Sequence, residues 1–527
     1  MSPLLEQTPA LVPVNTAAGR SAPVAGRSDT AAARRSSLLT HLHTVLPAGS
    51  LVLDPARLAG AATDRSGIRL PGSPLAVVLP QSVEEVQTVL RAATAFAVPV
   101  VPRGRGTGLS GGAAVPDGAL VVSTERLDRI LEIAPDDEIA VVQAGVLNAD
   151  LDRAVSPHGL MYASDPASWE ISSIGGNIAT NAGGLRCTKY GVTRESVLGL
   201  TVVLADGTLL QTGRRTIKGV TGFDLTGLFV GSEGTLGIVV AATLRLRPRP
   251  VKTNTFTAFF PSASAAAAGV VAVVRSRVQA SLLEFLDAGA LAAIDRAQQT
   301  DLAQRGTALL IVQTDGYGAD LEAEVLSTAL TAAGATVTAL DEFEAARYLW
   351  LRRSGRGVPT DSWSVGEDVA VPRSALVPML GRIAEIGADL DLEVAVVAHA
   401  GDGNLHPLLT APRTDGDGGT PPLRLGQAAD ALVRAALELG GTISGEHGIG
   451  IAKRPWLRSE LGDTSLHLQR ELARVFDPAG ILVPHTWLAE VDSATTAPVP
   501  SPVPPPPFQQ PPSTRPVHLE DSLVRHR

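Results

Sequence analysis

The chain has 527 residues, 45% apolar and 18% charged, with a net charge of −9 and one cysteine. That length exceeds what one hydrophobic core usually serves, so two or three domains are expected. No long run of one charge marks a nucleic-acid groove, no apolar run approaches the ~18 residues of a membrane span, and a lone Cys187 excludes an internal disulfide, which fits a reducing, cytoplasmic setting.

In chain order, residues 1–35 are rich in Ala, Pro, Ser and Thr without periodicity and read as a disordered N-terminal segment. The pair Arg34-Arg35 before "SSLLTHLHTVL" superficially suggests a twin-arginine export signal. His41 and His43 interrupt the apolar stretch and no small-residue cleavage site follows, so 36–71 reads as a helical lead-in. Residues 72–250 alternate short helices and strands. Ser82 and Glu85 form a capping box, "VPVVP", "ALVVST", "IAVVQAG", "LGLTVVLADGTLLQTG" and "LGIVVAATLRLRP" read as strands, and Asp206-Gly207 marks a hairpin. Residues 251–490 alternate longer helical patterns with the strands "ALLIVQTDG", "LEVAVVAHAG" and "GTISGEHG", an α+β pattern of a sheet with helices packed on it. Residues 491–527 include ten prolines and read as a disordered tail able to adopt polyproline II.

Three glycine-rich loops fall within 72–250. Arg103–Gly112, "RGRGTGLSGG", places five glycines in ten residues, which lets backbone N–H groups approach an anion. It lacks the Gly-Lys-[Ser/Thr] of a P-loop and the spacing of a Rossmann fingerprint. "SSIGGNIATNAGG" (172–184) and "GSEGTLGI" (231–238) add hydroxyls and amides to paired glycines. Three such loops in one region suit a long, phosphate-bearing cofactor better than plain turns do.

Together these loops resemble the PCMH-type FAD-binding domain of the vanillyl-alcohol-oxidase superfamily, in its branch of D-2-hydroxyacid dehydrogenases, which includes glycolate oxidase, D-lactate dehydrogenase and D-2-hydroxyglutarate dehydrogenase. The resemblance runs in order over about 50–490. It implies an α+β protein: a PCMH-type domain of two α/β subdomains over 72–250, then a substrate domain with an antiparallel sheet over 251–490. By the same likeness Arg103, Gly104, Gly106, Thr107, Gly108 and Gly111 wrap the FAD pyrophosphate. Ser173, Gly176, Asn177, Thr180 and Asn181 line the cofactor, and Gly234 and Ile238 touch it by backbone. Covalent members carry a histidine in the first loop, where this chain has Leu109, so non-covalent FAD is expected. Cys187 reads as a small buried hydrophobe.

The stretch "VVAHAGDGNLHPLL" (396–409) suggests a hairpin centred on Asp402-Gly403, with His399 opposite His406 and near enough to share a metal ion. A third piece, "ISGEHGIGIAK" (443–453), sets Glu446 beside His447 at a strand end. Two imidazoles and a carboxylate suit Zn, Mn or Fe(II) and leave positions for substrate. The resemblance assigns His399, His406 and Glu446 as ligands and His447 as general base. Its LWxxR pattern falls on Arg353, three residues after Trp350, as the clamp on a substrate carboxylate; Lys453 is a further candidate. The implied reaction is oxidation of a D-2-hydroxy acid chelated by the metal, with hydride passed to flavin N5. Gly357, Gly366 and Leu408 stand where relatives acting on a dicarboxylate carry polar groups, which favours a lactate or glycolate type of acid. The alternatives are a catalytically weak flavoprotein subunit of a multi-subunit oxidase and a metal-dependent hydrolase. With no C-x-x-C groups for iron–sulfur clusters, electrons must pass to a protein, a quinone or oxygen. A homodimer and peripheral attachment to a membrane surface are both compatible with these features.

Overall fold

The computed structural model describes residues 30–354, 357, 361–414 and 420–489; the proline-rich tail and residues 1–29 lie outside them. The first helix, Ala31–Val45, begins earlier than the sequence pattern suggests. Thr30 caps it by accepting from the Ala33 N–H, and Leu38 and Leu42 are fully buried with Val86, Val89 and Leu90 of helix Val83–Phe96. Two buried leucines one turn apart fix this helix by packing, so its weak overall amphipathicity misleads a pattern reading. At helix Val83–Phe96 the capping box forms with one change of partner: Ser82 Oγ accepts from the Glu85 N–H, and the Glu85 carboxylate accepts from Gln81 N–H at 3.1 Å.

Two larger sheets build the first domain, beside a two-stranded one of Leu160–Met161 and Arg247–Pro248. The first runs Leu51–Val52, Ala76–Val78, Leu120–Ser123, Val100–Arg103, with the last three strands parallel. The second is five-stranded and antiparallel, with Ile238–Arg245 at its centre. The final described segment returns to this domain: Val100 N–H donates to Ile481 O, Val483 N–H donates to Val100 O, and Ile481, Leu482 and Val483 join its core. The core of the first domain is therefore completed by residues far along the chain.

The second domain is an eight-stranded antiparallel sheet in the order Thr336–Leu340, Thr253–Phe260, Ala308–Asp315, Leu282–Leu286, Glu393–His399, Asn404–Pro412, Ser362–Gly366, with Val369–Ala370 also paired to Asn404–Pro412. Strand alternation sends Leu283, Phe285 and Leu310 to one hydrophobic cluster and Leu282, Leu286, Leu309 and Ile311 to another on the opposite face. Helices cover both faces. "GTISGEHG" is not a strand: Thr442 forms one isolated bridge with Ala370, and the residues after it make a glycine-rich loop. Its amides bind buried carboxylates instead of a ladder, which removes the basis for a strand there.

Because Leu42 fills the joint between the first helix and the rest of the first domain, Leu42→Ala is expected to cost about 2–5 kcal/mol, as for other fully buried leucines. A denaturant midpoint equal to wild type would contradict this placement.

Candidate functional site

The hairpin carrying both histidines has a wider turn than the Asp-Gly signal suggests. His399 pairs with Asn404 and Val397 pairs with His406, so 399 and 406 are diagonal neighbours instead of direct partners. The difference is two residues of register, and a shift of two keeps every side chain on its face. His399 and His406 therefore still converge, with ring centroids 5.2 Å apart. The Asp402 and Gly403 N–H groups both donate to His399 O. Gly403 has φ +89°, where a side chain is strained, and a Cβ there would meet Val371 O at 2.1 Å.

Oε1 of Glu446 lies 3.3 Å from His399 Nε2 and 3.2 Å from His406 Nε2, and one donor atom from each of the three residues lies within 4.8 Å of the others. Glu284, directly opposite His399 in the sheet, takes His399 Nδ1 at 2.8 Å. That contact fixes the ring and leaves Nε2 facing Glu446, the usual orientation for an imidazole ligand with a carboxylate behind it. Arg352 in turn holds Glu284 at 2.7 Å, both buried. His406 Nδ1 is buried without a hydrogen bond, 3.7 Å from Asp368 Oδ1. The donor set and the backing carboxylates fit a divalent ion.

Burial works against the charge of His399, but Glu284 and Glu446 outweigh it and hold this imidazole protonated well above its ordinary range. Burial with weaker compensation draws His406 down to about 4. Glu446 stays ionised far below the usual range: burial opposes this, and the facing imidazoles, His399 first, win. Asp368 is held at about 2 despite its burial, through His447 and His406. Its Oδ2 also accepts from the Ser444 hydroxyl and the N–H groups of Glu446 and His447 at 2.8–2.9 Å, so it shapes the loop that presents both residues.

The same loop is clasped from the first domain. Ser110 Oγ donates to the carbonyls of His447 and Gly448, and Glu233 accepts from Ile449 N–H (2.7 Å) and Gly450 N–H (2.9 Å). At Gly183 a Cβ would stand 2.4 Å from Glu446 Oε2, so only glycine lets the carboxylate approach this closely. Thus the loops expected to hold FAD also position Glu446 and His447.

Those loops border a cavity of ≈ 960 Å³. Of the residues expected to touch FAD, Arg103, Gly104, Gly106, Thr107, Gly108, Ser173, Gly176, Asn177, Thr180, Gly234 and Ile238 line it. Gly111 and Asn181 do not. Gly111 lies against Ile68, and Asn181 closes a helix at φ +51° while its Oδ1 accepts from Arg194 N–H. A second cavity of ≈ 1270 Å³ holds His399, His406, Asp368 and Lys453. Arg353, Glu446 and His447 border both. Arg353 is partly held by Asp165 at 3.3 Å, and Lys453 is buried against Glu367. Cys187 is half-buried, and its Sγ accepts from Gly184 N–H. Burial, with nearby acids, raises its thiol far above the ordinary range.

Sequence reasoning missed Glu284, Arg352, Asp368 and Glu233. Glu284 does carry a signal, since it is the single charge inside the apolar strand "LLEFL". Asp368 and Glu233 lie in loops, where an acid carries no such signal.

Residues 74–213 match the FAD binding domain family and residues 249–486 the C-terminal domain of FAD linked oxidases. The chain is 40% identical, over 79% of its length and 89% of the relative's, to the glycolate oxidase subunit GlcD of Bacillus subtilis. It is 35% identical, over 87% of its length and 98% of the relative's, to a D-2-hydroxyglutarate dehydrogenase of Xanthomonas citri. The solved structure of p-cresol methylhydroxylase matches in fold, with a TM-score of 0.69 at 17% identity over 87% of this chain and 97% of that one. The family matches and these relatives thus define the class as FAD-linked oxidoreductases. The chain belongs to the FAD-linked oxidase family.

Burial pushes the Glu233 carboxyl up to about 7, against the pull of the two N–H groups it accepts. A carboxyl raised in the folded state contributes stability that is complete below its unfolded value and lost as pH rises through the folded one. Wild type should therefore lose thermal stability relative to Glu233→Gln between about pH 5 and about pH 8. Parallel pH profiles of the two proteins would refute this.

Proposed function

We propose that the chain oxidises a small D-2-hydroxy acid of the lactate or glycolate type to the 2-oxo acid, using non-covalent FAD and a divalent metal. The observation that carries the reading is that Arg353, Glu446 and His447 border both cavities at once. FAD in the glycine-lined cavity supplies a hydride acceptor, and a metal held by His399, His406 and Glu446 supplies Lewis-acid stabilisation of the substrate oxygen. His447, at the junction, takes the hydroxyl proton. Arg353 grips the carboxylate with its planar guanidinium, and Asp165 orients that group. The absence of a histidine from Arg103–Gly112 supports non-covalent flavin.

The preference for a small or apolar acid rests on charge pairing. With Arg353 given to the first carboxylate, the other cations bordering the second cavity already face acids: Arg352 with Glu284, Lys453 with Glu367 and Arg434 with Asp430. Gly366 pairs with Leu408 in the wall beside His406 and offers a distal carboxylate no side-chain partner. The relative named as a glycolate oxidase subunit supports this class of substrate, whereas the one named for D-2-hydroxyglutarate is named for an acid with a second carboxylate. The single cysteine supports a cytoplasmic site of action.

The test is anaerobic bleaching of the yellow protein by a panel of D- and L-2-hydroxy acids. D-lactate or glycolate should bleach it fastest; a flavin that no hydroxy acid reduces would sink the reading. His447→Ala should keep its colour and bleach about 10²–10⁴-fold more slowly, the usual contribution of a positioned base. Glu284→Gln should weaken metal retention by about 10–100-fold, as loss of a partner behind a ligand does. Metal titration of stripped protein reads this directly, and unchanged affinity would remove Glu284 from the role.

A further inference from the structure

Between strand Leu209–Gly213 and helix Leu225–Phe229 an arm, residues 213–224, stands out from the first domain with every residue exposed. Its apolar side chains are the least covered large hydrophobics of that domain: Ile217 is 87%, Val220 98% and Phe223 96% exposed. Arg214, Arg215 and Lys218 interleave with them against one carboxylate, Asp224. Arg215 is matched by Glu132 at the arm's base, while Asp224 caps the next helix through Gly227 N–H. The positive charge of the tip therefore comes from Arg214 and Lys218.

The base is fixed. Thr226 Oγ1 donates to Thr212 Oγ1 at 2.9 Å, and Arg194 donates to the carbonyls of Gly227 and Val230, each at 2.7 Å. Beside that base Arg194, Arg214 and Arg245 border a cavity of ≈ 210 Å³, together with Glu195 and Asp224. Apolar tips above a niche edged by three guanidiniums match an acyl layer beneath anionic phosphate headgroups.

We propose that the arm 213–224 docks the protein on an anionic lipid bilayer, inserting Ile217, Val220 and Phe223 while Arg214 and Lys218 meet the headgroups. A bilayer suits this shape better than a protein partner does. The apolar groups of the arm are almost fully exposed and three residues apart in sequence, so a protein would need a pocket for each, whereas lipid adapts around them. With −9 net charge on the chain, the rest of the surface is on average repelled by such a membrane, so the basic arm also sets the orientation. The proposal is independent of the substrate and of the metal.

The experiment is co-sedimentation of the full chain with phosphatidylcholine vesicles, with and without phosphatidylglycerol. Wild type should pellet with the anionic vesicles at low salt and be released as salt screens the headgroups. I217S/V220S/F223S should lower the bound fraction by about tenfold while keeping the circular dichroism and flavin colour of wild type, and K218E should weaken binding less. Wild type that stays in the supernatant, binds neutral vesicles equally, or is matched by the triple variant would overturn the proposal. So would arm-dependent self-association without vesicle binding, which would assign the arm to a second copy.

Discussion

One carboxylate oxygen, Glu446 Oε1, stands between the Nε2 atoms of the buried His399 and the partly buried His406. No sheet ladder puts it there. The loop that carries it is held by Asp368 from within its own domain and by Glu233 and Ser110 from the other. Burying these acids costs free energy unless each finds donors, and the loop's amides are those donors. The loop's shape and the solvation of the acids are thus one problem with one solution.

That solution ties the two domains together. The glycine-rich loops lining the ≈ 960 Å³ cavity end at Gly183, against Glu446, and at Ser110, against the carbonyls of His447 and Gly448. Displacing either domain moves His447 and one of the three converging donors together. The C-terminal return of Ile481–Val483 into the first domain's core adds an apolar fastening remote from the chemistry. Precision at the site is then set by packing of both domains as well as by the hairpin.

Much of this was legible in the sequence, for a definite reason. The glycine loops and the His–Glu–His pieces are local patterns, and a strand's period of two is robust to an error of two in register. His399 and His406 therefore met even though their pairing differed. What was illegible depended on contacts distant in sequence: Glu284 reaches His399 across 115 residues and Asp368 reaches His447 across 79. Gly111 and Asn181 lie off the cavity lining for a different reason. They sit inside the right motifs, but a motif does not say which of its glycines and amides serve the cavity and which serve the turn. Asn181 spends its amide oxygen on Arg194 and its backbone on a helix end.

The charge balance of the cluster gives the arrangement its logic. Three carboxylates, the buried Glu284 and Asp368 and the partly buried Glu446, converge where one guanidinium, Arg352, is committed to Glu284, while Lys453 is matched by Glu367. Excess negative charge on carboxylates largely withdrawn from water is tolerated only if protons on the imidazoles or a bound cation offset it. A proton on His399 does so within one dyad. A divalent ion would do so for both histidines while freeing them to act as ligands. The same acids that are costly to bury side by side would favour a cation there, and they would do it at the junction of the two cavities.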